Sequence, residues 1–233
     1  MERLALRVVM YERKDPFYRR AKREGFRSRA AYKLEELQRA HRVLRPGQRV
    51  ADLGAWPGGW MQVAAAAVGP GGRVAGIDQA GIEPFPDLAN AIAIHGDLSE
   101  AGVEARILDA LGGLADVVLS DAAPKLTGVR ATDRAREEAL LEAVEALVPK
   151  LLRPGGALVL KLLESPEAQA IAGRLGRRFA ACKTTKLQAT RQGSAEKYLV
   201  ARDFRGLPAR DAARAGSPAP VPADPVRRDA SDE

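Results

Sequence analysis

The sequence contains few of the residues that build disulfides and metal centres. Among 233 residues it has one cysteine, Cys182, and two histidines, His41 and His95. A single cysteine excludes an internal disulfide and a multi-cysteine metal site, and two histidines give no basis for a histidine-rich zinc site. The sequence therefore predicts no metal site, and Cys182 is interpreted as a small apolar residue.

Long apolar runs are missing as well. No run reaches the length of about 18 apolar residues that a transmembrane helix needs. The first eleven residues are apolar over only a few positions, are interrupted by Arg7 and lack the small-residue cleavage site of a signal peptide. We therefore expect a cytoplasmic protein that has no contact with membranes. A hydrophobic fraction of 46% and a charged fraction of 29% are typical of a folded globular chain.

Positive charge is concentrated in the first part of the chain. The whole sequence has a net charge of +7, whereas residues 1–50 alone contain 15 basic and 6 acidic residues, a net charge of +9. A second basic stretch, residues 174–191, contains no acidic residue. Two basic segments around a nearly neutral core suit a surface that binds a polyanion such as nucleic acid. A charged face that only contacts solvent has the same composition, so both interpretations stay open here.

The apolar pattern predicts strands and helices in alternation. Residues 13–45 have a helical pattern that is broken at Gly25. Helices are also expected at 61–68, 135–152 and 166–179. Short apolar runs typical of buried strands lie at 49–53, 73–78, 91–95, 115–120 and 157–163. Two further runs, 181–189 and 196–204, have no helix between them and predict an antiparallel hairpin at the sheet edge.

This alternation predicts an α/β fold. We expect a Rossmann-like, mostly parallel seven-stranded sheet with a terminal antiparallel hairpin and helices on both faces. Three regions follow from the pattern. We expect residues 1–48 to form a basic helical extension packed on the core, residues 49–204 to form the catalytic domain, and residues 205–233 to form a disordered tail. The tail contains five prolines and too few apolar residues to bury a core.

A glycine-rich segment follows the first strand. It reads Asp52-Leu53-Gly54-Ala55-Trp56-Pro57-Gly58-Gly59-Trp60 and leads into the next helix. Glycines at such a turn let the backbone approach a ligand closely, and ligands of this fold bind at the carboxyl ends of the strands. Asp78 ends the second strand, where a carboxylate can accept both hydrogen bonds of an adenosine ribose. Asp97 and Asp121 end the next two strands, so the pattern predicts a nucleoside cofactor.

Two other classes of protein were weighed against this interpretation. A nicotinamide-dependent oxidoreductase would have the spacing G-x-G-x-x-G, whereas Gly54 and Gly58 are separated by three residues. The Tyr-x-x-x-Lys pair of a short-chain dehydrogenase occurs only at Tyr18 and Lys22, before the first strand. A non-catalytic RNA-binding protein would have no use for the ionisable residues described next. Both classes remain as disfavoured alternatives.

Four ionisable residues outside the glycine-rich segment are candidates for catalysis. Lys161 ends an otherwise apolar strand, where a lysine is costly to bury unless it is paired or functional. Asp121 ends the neighbouring strand, in the sequence Ser-Asp-Ala-Ala-Pro. Lys33 lies in the basic helical region, and Glu196 opens the last predicted strand.

These positions lie in segments that resemble the FtsJ/RrmJ family of RNA ribose 2′-O-methyltransferases. The segments are S-R-A-A-Y-K-L, D-L-G-x-x-P-G-G-W, S-D-x-A-P, the strand with Lys161, and E-x-Y-x-V, and they span about residues 13–204. The resemblance implies S-adenosylmethionine as the cofactor and a catalytic tetrad. The implied tetrad is Lys33, Asp121, Lys161 and Glu196. The cofactor contacts that we expect from the resemblance and the glycine-rich segment together are Gly54, Gly58, Trp60, Asp78, Asp97 and Asp121.

The resemblance also implies an RNA substrate. The bacterial branch that the sequence resembles methylates a uridine of 23S ribosomal RNA in the large ribosomal subunit, and a tRNA 2′-O-methyltransferase is the alternative. No obligate protein partner is expected. Two residues depart from the family pattern, since Trp56 stands where alanine is usual and Lys125 where asparagine is typical. The expected RNA-binding residues are Arg20, Arg23, Arg27, Arg29 and Lys125.

The implied chemistry is an in-line transfer of a methyl group to a ribose oxygen. A ribose hydroxyl is a poor nucleophile until its proton is removed or polarised, and Lys161 is the candidate base. Asp121 and Glu196 are expected to orient the two lysine ammonium groups. The alternative is a salt-bridged quartet that only joins the helix to the sheet.

Overall fold

The computed structural model describes residues 16–125, 127–190 and 195–206. The helices are α1 (Pro16–Arg23), α2 (Ala31–His41), α3 (Gly59–Val68), α4 (Val103–Leu111), α5 (Arg130–Leu151) and α6 (Pro166–Gly176). The strands are β1 (Arg49–Leu53), β2 (Arg73–Asp78), β3 (Ala91–His95), β4 (Ala115–Ser120), β5 (Leu152–Leu162), β6 (Phe179–Thr185) and β7 (Lys197–Phe204). Residues 1–15 and most of the predicted tail, from residue 207, lie outside the described residues.

All seven strands belong to one sheet, in the order β3-β2-β1-β4-β5-β7-β6. The neighbours from β3 to β5 pair in parallel, and β7 pairs antiparallel with both β5 and β6. The predicted Rossmann-like sheet and its terminal antiparallel pair are confirmed. Because β7 inserts between β5 and β6, the strand that forms the outer edge is β6. The parallel arrangement brings the carboxyl ends of β1, β2, β3 and β4 to one edge of the sheet.

Helices cover both faces of the sheet. On one face, α2 and α3 pack through apolar side chains that include Leu34, Leu37 and Met61. On the other face, α4, α5 and α6 pack through residues such as Ile107, Val144 and Ile171. Among the described residues, no helix is long and apolar enough to cross a membrane.

Local sequence explains where several helices begin and end. The first two helices are separated at Gly25, which has a φ of +77°, so the predicted break is confirmed. The Ser165 hydroxyl accepts a hydrogen bond from the Ala168 amide at 3.0 Å, and Pro166 occupies the first turn of α6. The fixed φ of proline suits this position, where no helical hydrogen bond is lost.

Some predicted boundaries were wrong. Helix α5 begins at Arg130, five residues before the predicted start, because this polar first turn lacks the apolar spacing used for prediction. Strand β5 begins at Leu152, and its pairing with β4 shifts register between Ala115 and Val117. Residues 153–156, which precede the predicted strand 157–163, are therefore an irregular part of β5. Strand β6 covers Phe179–Thr185, whereas the predicted strand covered 181–189. The residues after Thr185 form a loop, in which Leu187 and Ala189 are still buried.

Candidate active site

The glycine-rich segment joins β1 to α3 at the edge of the sheet where the parallel strands end. The backbone amides of Gly54 and Ala55 both donate to the carbonyl of Ile77, at 2.9 and 3.0 Å. Gly54 has a φ of +78°, and a Cβ atom there would lie 2.4 Å from the Cβ of Ala122. Any larger residue would push the turn away from the end of β4. The glycine is therefore explained by its packing against Ala122, and the expected close approach of this backbone to a ligand stays a prediction.

Asp78 holds the end of β2 against this turn. One carboxylate oxygen accepts the Trp56 amide at 3.0 Å, and the other accepts the Ala80 amide at 2.8 Å. Each oxygen of a carboxylate can accept a second hydrogen bond. The carboxylate is therefore fixed in orientation and can still accept two hydroxyl donors of a ribose.

Asp97 lies two residues after the end of β3. Its Oδ1 atom accepts the amide of Ser99 at 2.8 Å and the hydroxyl at 2.7 Å, and its Oδ2 atom accepts the side-chain amide of Gln79. The hydrogen bonds from Ser99 are the main cause that lowers the pKa of Asp97. The carboxylate is therefore ionised at neutral pH. It can accept a hydrogen bond from an exocyclic amine.

A cavity of about 420 Å³ opens between these carboxylates and helix α5. It is lined on one side by Gly54, Asp78 and Asp97 and on the other by Pro124 and Leu140. Polar groups at the strand ends and apolar groups opposite them suit a nucleoside, which has a polar ribose and a flat base.

Trp60 lies away from this cavity. Its side chain is 3% exposed, and its indole N–H donates to the Ala30 carbonyl at 2.8 Å. The ring also lies 6.0 Å from the ring of Tyr198. The side chain thus joins α3 to α2 and β7, which leaves only the backbone of Trp60 for the expected cofactor contact. Gly58 also lies outside the cavity lining, at a φ of +107°, where a Cβ would meet the Phe85 ring.

Asp52 is a buried carboxylate in β1, directly before the glycine-rich segment turns toward α3; this turn is called the cofactor turn below. Its side chain is 1% exposed, and neither oxygen has a hydrogen-bond partner among the described residues. Burial, together with the negative charges of Asp121 and Asp78, raises its pKa well above the ordinary value. Asp52 is therefore predominantly protonated over a wider pH range than an exposed aspartate.

The four predicted catalytic residues come together at one end of the sheet. Lys33 lies 3.0 and 3.1 Å from the two carboxylate oxygens of Glu196 and 3.7 Å from Oδ2 of Asp121. Lys161 lies 3.3 Å from Oδ1 of Asp121 and also donates to the backbone carbonyl of that residue. Both lysines are buried, with 8% of their surface exposed. The sequence segments that contain them are far apart in the chain, so their assembly is a property of the fold.

Tyr198 is a further member of this cluster that sequence analysis did not single out. Its hydroxyl donates to Oδ1 of Asp121 at 2.8 Å, and the side chain is fully buried. Burial, and then the charge of Asp121, raise the pKa of Tyr198 far above the ordinary value, so the phenol stays a hydrogen-bond donor. A signal was present in the sequence, because Glu196 and Tyr198 are two residues apart and such residues share one face of a strand.

The predicted RNA-binding residues lie along the basic stretch within residues 1–50, called the basic segment below, and beside the cavity. Arg20 pairs with Glu24 at 2.7 Å and lies over the ring of Tyr32 at 4.8 Å. Arg23 is exposed on α1. Arg29 donates to the carbonyl of Ala189 at 3.1 Å. Lys125 is exposed and lines the rim of the cavity.

Arg27 is engaged within the protein. Its guanidinium donates to the backbone carbonyls of Pro57, Glu83 and Pro84 and lies 3.6 Å from the centre of the Phe85 ring. These contacts join the segment after β2 to the glycine-rich turn. They favour a role in shaping the cofactor turn, and the predicted RNA contact of Arg27 stays a prediction.

Comparisons with known proteins identify similar sequences. The sequence model of a family described as FtsJ-like methyltransferase matches residues 26–204. The chain is 40% identical over 199 residues to a protein of Methanobrevibacter smithii named ribosomal RNA large subunit methyltransferase E, a match that covers 85% of this chain and 94% of that protein. A protein of Pseudomonas aeruginosa with the same name is 42% identical over 193 residues, which cover 82% of this chain and 92% of that protein.

A solved structure has a similar fold. A Plasmodium falciparum protein described as a ribosomal RNA methyltransferase superposes with a TM-score of 0.67 at 27% identity. The superposition covers 78% of this chain and all of that chain. The two proteins therefore share a fold over most of this chain.

Proposed function

Because this chain belongs to the FtsJ-like methyltransferase family, we propose that it methylates the 2′-hydroxyl of a ribose in ribosomal RNA of the large subunit. The proposed target is a uridine of 23S ribosomal RNA. The names of the relatives described above support ribosomal RNA as the substrate. The observation that carries the proposal is the buried Lys161 held against Asp121, at the same strand ends as the nucleoside-sized cavity.

The residues at the strand ends fit S-adenosylmethionine, the cofactor of these enzymes. Asp78 is oriented by two backbone amides and would accept the ribose hydroxyls, and the ionised Asp97 would accept the adenine amine. Gly54 and Ala122 both line the cavity, and a Cβ atom at Gly54 would push the turn away from Ala122. When bound, S-adenosylmethionine supplies an electrophilic methyl group.

The chain's own residues would prepare the ribose oxygen. In this proposal Lys161 accepts the hydroxyl proton in its neutral form, and general-base catalysis of this kind contributes about 10²- to 10⁴-fold to a rate. Asp121 fixes the position of the Lys161 amine through two contacts, from a carboxylate oxygen and from the backbone carbonyl. Alignment of the two reactants by such fixed groups adds to the rate.

The basic segment would hold the RNA. Arg20, Arg23 and Arg29 extend from α1 to the start of α2, the helix that carries Lys33. Contacts from arginines to phosphates position an RNA without reading its sequence. Lys125, at the rim of the cavity, would add a cation beside the nucleotide that is modified.

The experiment that tests this function is a map of 2′-O-methylation in RNA from cells with and without the gene. We expect one mark in 23S ribosomal RNA to disappear and to return with the intact gene but not with a Lys161→Ala copy. Loss of a mark in tRNA instead would assign the enzyme to the alternative substrate. An unchanged methylation map in both RNA classes would contradict the proposal.

A further inference from the structure

Trp56 exposes a large aromatic surface at the cofactor turn. Its side chain is 57% exposed, whereas the other tryptophan, Trp60, is 3% exposed. Among the described residues, the other exposed aromatic side chain is Phe17, at 38%. Tryptophan has a large apolar surface, so its exposure at a turn costs free energy unless a ligand covers it.

The backbone under this ring is fixed on both sides. The Trp56 amide donates to the Asp78 carboxylate at 3.0 Å. The Ala55 amide donates to Ile77 at 3.0 Å, and the Gly58 amide donates to the Ala55 carbonyl at 2.7 Å. A ring presented from such a fixed turn loses little conformational entropy when a ligand stacks on it.

The surroundings of the ring connect the basic segment to the catalytic cluster. The carbonyl of the next residue, Pro57, accepts a hydrogen bond from Arg27 of the basic segment. On the other side, Gly54 packs against Ala122, the residue that follows Asp121. The turn that carries Trp56 therefore contacts both the basic N-terminal segment and the residue next to Asp121.

The cofactor cavity does not account for the ring. The cavity is lined by Gly54, Asp78, Asp97 and Pro124 among others, and Trp56 is not part of its lining. An adenosine bound between Asp78 and Asp97 would leave the indole uncovered. The exposed ring is open to a ligand from outside the cavity, and a ligand with a flat face would cover it best.

We propose that the indole of Trp56 is a stacking platform for a base of the substrate RNA, next to the nucleotide that is methylated. This inference rests on the proposed function for its substrate. Proteins that recognise single-stranded RNA stack unpaired bases on aromatic side chains, at about 1–3 kcal/mol per base. The platform would hold a neighbouring base outside the RNA stack, and the target ribose would then lie at Lys161.

A pair of variants separates stacking from general hydrophobic contact. Trp56→Leu keeps an apolar side chain without a π face, and we expect it to raise KM for RNA about 5- to 150-fold, the equivalent of 1–3 kcal/mol. The affinity for S-adenosylmethionine should stay within about twofold. Trp56→Phe should recover most of the lost affinity for RNA. Leu114→Ala is the matched control, because Leu114 is 41% exposed and lies before β4, at the opposite edge of the sheet.

Tryptophan fluorescence gives a second measurement that does not need activity. We expect a short oligouridylate to quench the emission of the wild type, and the Trp56→Phe variant, in which Trp60 alone emits, sets the background. An abasic chain of equal charge should bind without this quenching. Oligouridylate binding is measured without methyl transfer, so it tests stacking independently of the proposed function. A protein that does not methylate ribosomal RNA would contradict the proposed function, and the quenching measurement would still decide whether Trp56 stacks on a base.

Two results would overturn the inference. One is a Trp56→Leu variant with wild-type KM for RNA and no quenching of the wild type by oligouridylate. The other is full quenching by S-adenosylmethionine alone together with weaker cofactor binding in Trp56→Leu. That second result would assign the ring to the cofactor.

Discussion

The Lys161 ammonium contacts Asp121 twice, at the carboxylate and at the backbone carbonyl of the same residue. A side chain held from two directions has little freedom to turn toward other groups. Tyr198 donates to the same carboxylate oxygen and fixes Asp121 in turn. The position of the Lys161 amine is therefore set by the end of β4 and not by its own flexible chain.

Substitution of Lys161 tests whether this amine acts as a base. Lys161→Ala should reduce the single-turnover rate by about 10²- to 10⁴-fold, with the affinities for cofactor and RNA within about threefold. Lys161→Arg should fail nearly as badly, because arginine keeps its proton at any working pH. Single-turnover rates across pH 6 to 10 are the measurement, and the wild-type rate should rise with pH to a plateau that both variants lack.

Two controls accompany these variants. Lys150→Ala removes an exposed lysine in the last turn of α5, outside both basic segments, and should leave the rate unchanged. Thermal unfolding of each variant shows whether the loss of a buried cation has destabilised the fold. An arginine variant that retains more than about a tenth of the wild-type rate would leave Lys161 as an orienting cation.

Substitution of Asp78 tests the cofactor site. Asp78→Ala removes the acceptor of two ribose hydrogen bonds and should weaken S-adenosylmethionine binding roughly 10- to 100-fold in calorimetry. Asp87→Ala is the control, because Asp87 is exposed in the loop after β2. Unchanged affinity in Asp78→Ala would place the nucleoside away from the end of β2.

Arg23 and Arg27 are four residues apart and are expected to behave differently. Arg23→Ala should weaken RNA binding and reduce its salt slope by about one unit, with no effect on the cofactor. Arg27→Ala should weaken cofactor binding about 5- to 30-fold, since the three hydrogen bonds that join the turn to the segment after β2 are lost. Binding of each ligand as a function of salt measures both effects. Equal effects of the two variants on both ligands would contradict this division of roles.

Asp52 should make the stability of the cofactor-free protein depend on pH. Its pKa is raised in the folded state, mainly by burial, and is about 3.9 in an unfolded chain. A raised folded pKa favours folding fully below the unfolded pKa, and this contribution is lost as pH rises through the folded pKa. The wild type should therefore lose stability relative to Asp52→Asn as pH rises from about 4 toward neutral.

Urea unfolding of both proteins measures this difference. It should grow by up to about 1.4 kcal/mol per pH unit and become constant above the folded pKa. An asparagine amide does not titrate, so any fixed cost of the substitution shifts the curve without changing its slope. Parallel curves for the two proteins would show that Asp52 is ionised in the folded state.

Sequence patterns were sufficient for the sheet and for the strand ends. Buried parallel strands are recognisable as short continuous apolar runs, and the acidic residues Asp78, Asp97 and Asp121 follow such runs directly. Because parallel strands end at one edge, their common location follows from the fold class alone. The order of β6 and β7 did not follow, because a helix-free pair of strands can add to a sheet in either order.

Side-chain roles were harder to predict than positions. Arg27 is an arginine in a basic segment, which predicts an RNA contact. Its guanidinium instead donates to carbonyls of a loop more than 50 residues away in the sequence. Tyr198 has the pattern of a core residue, and its hydrogen bond to Asp121 depends on the strand register that places it opposite Lys161. Such long-range pairings are set by tertiary packing and leave little trace in local periodicity.

The insertion of β7 between β5 and β6 also has a consequence for synthesis of the chain. The contact between Lys33 and Glu196 spans 163 residues, and Tyr198 belongs to β7, the last strand among the described residues. A nascent chain that still lacks β7 would not have the cluster of ionisable residues assembled. Under the proposed mechanism, a product truncated before residue 196 should therefore transfer no methyl group.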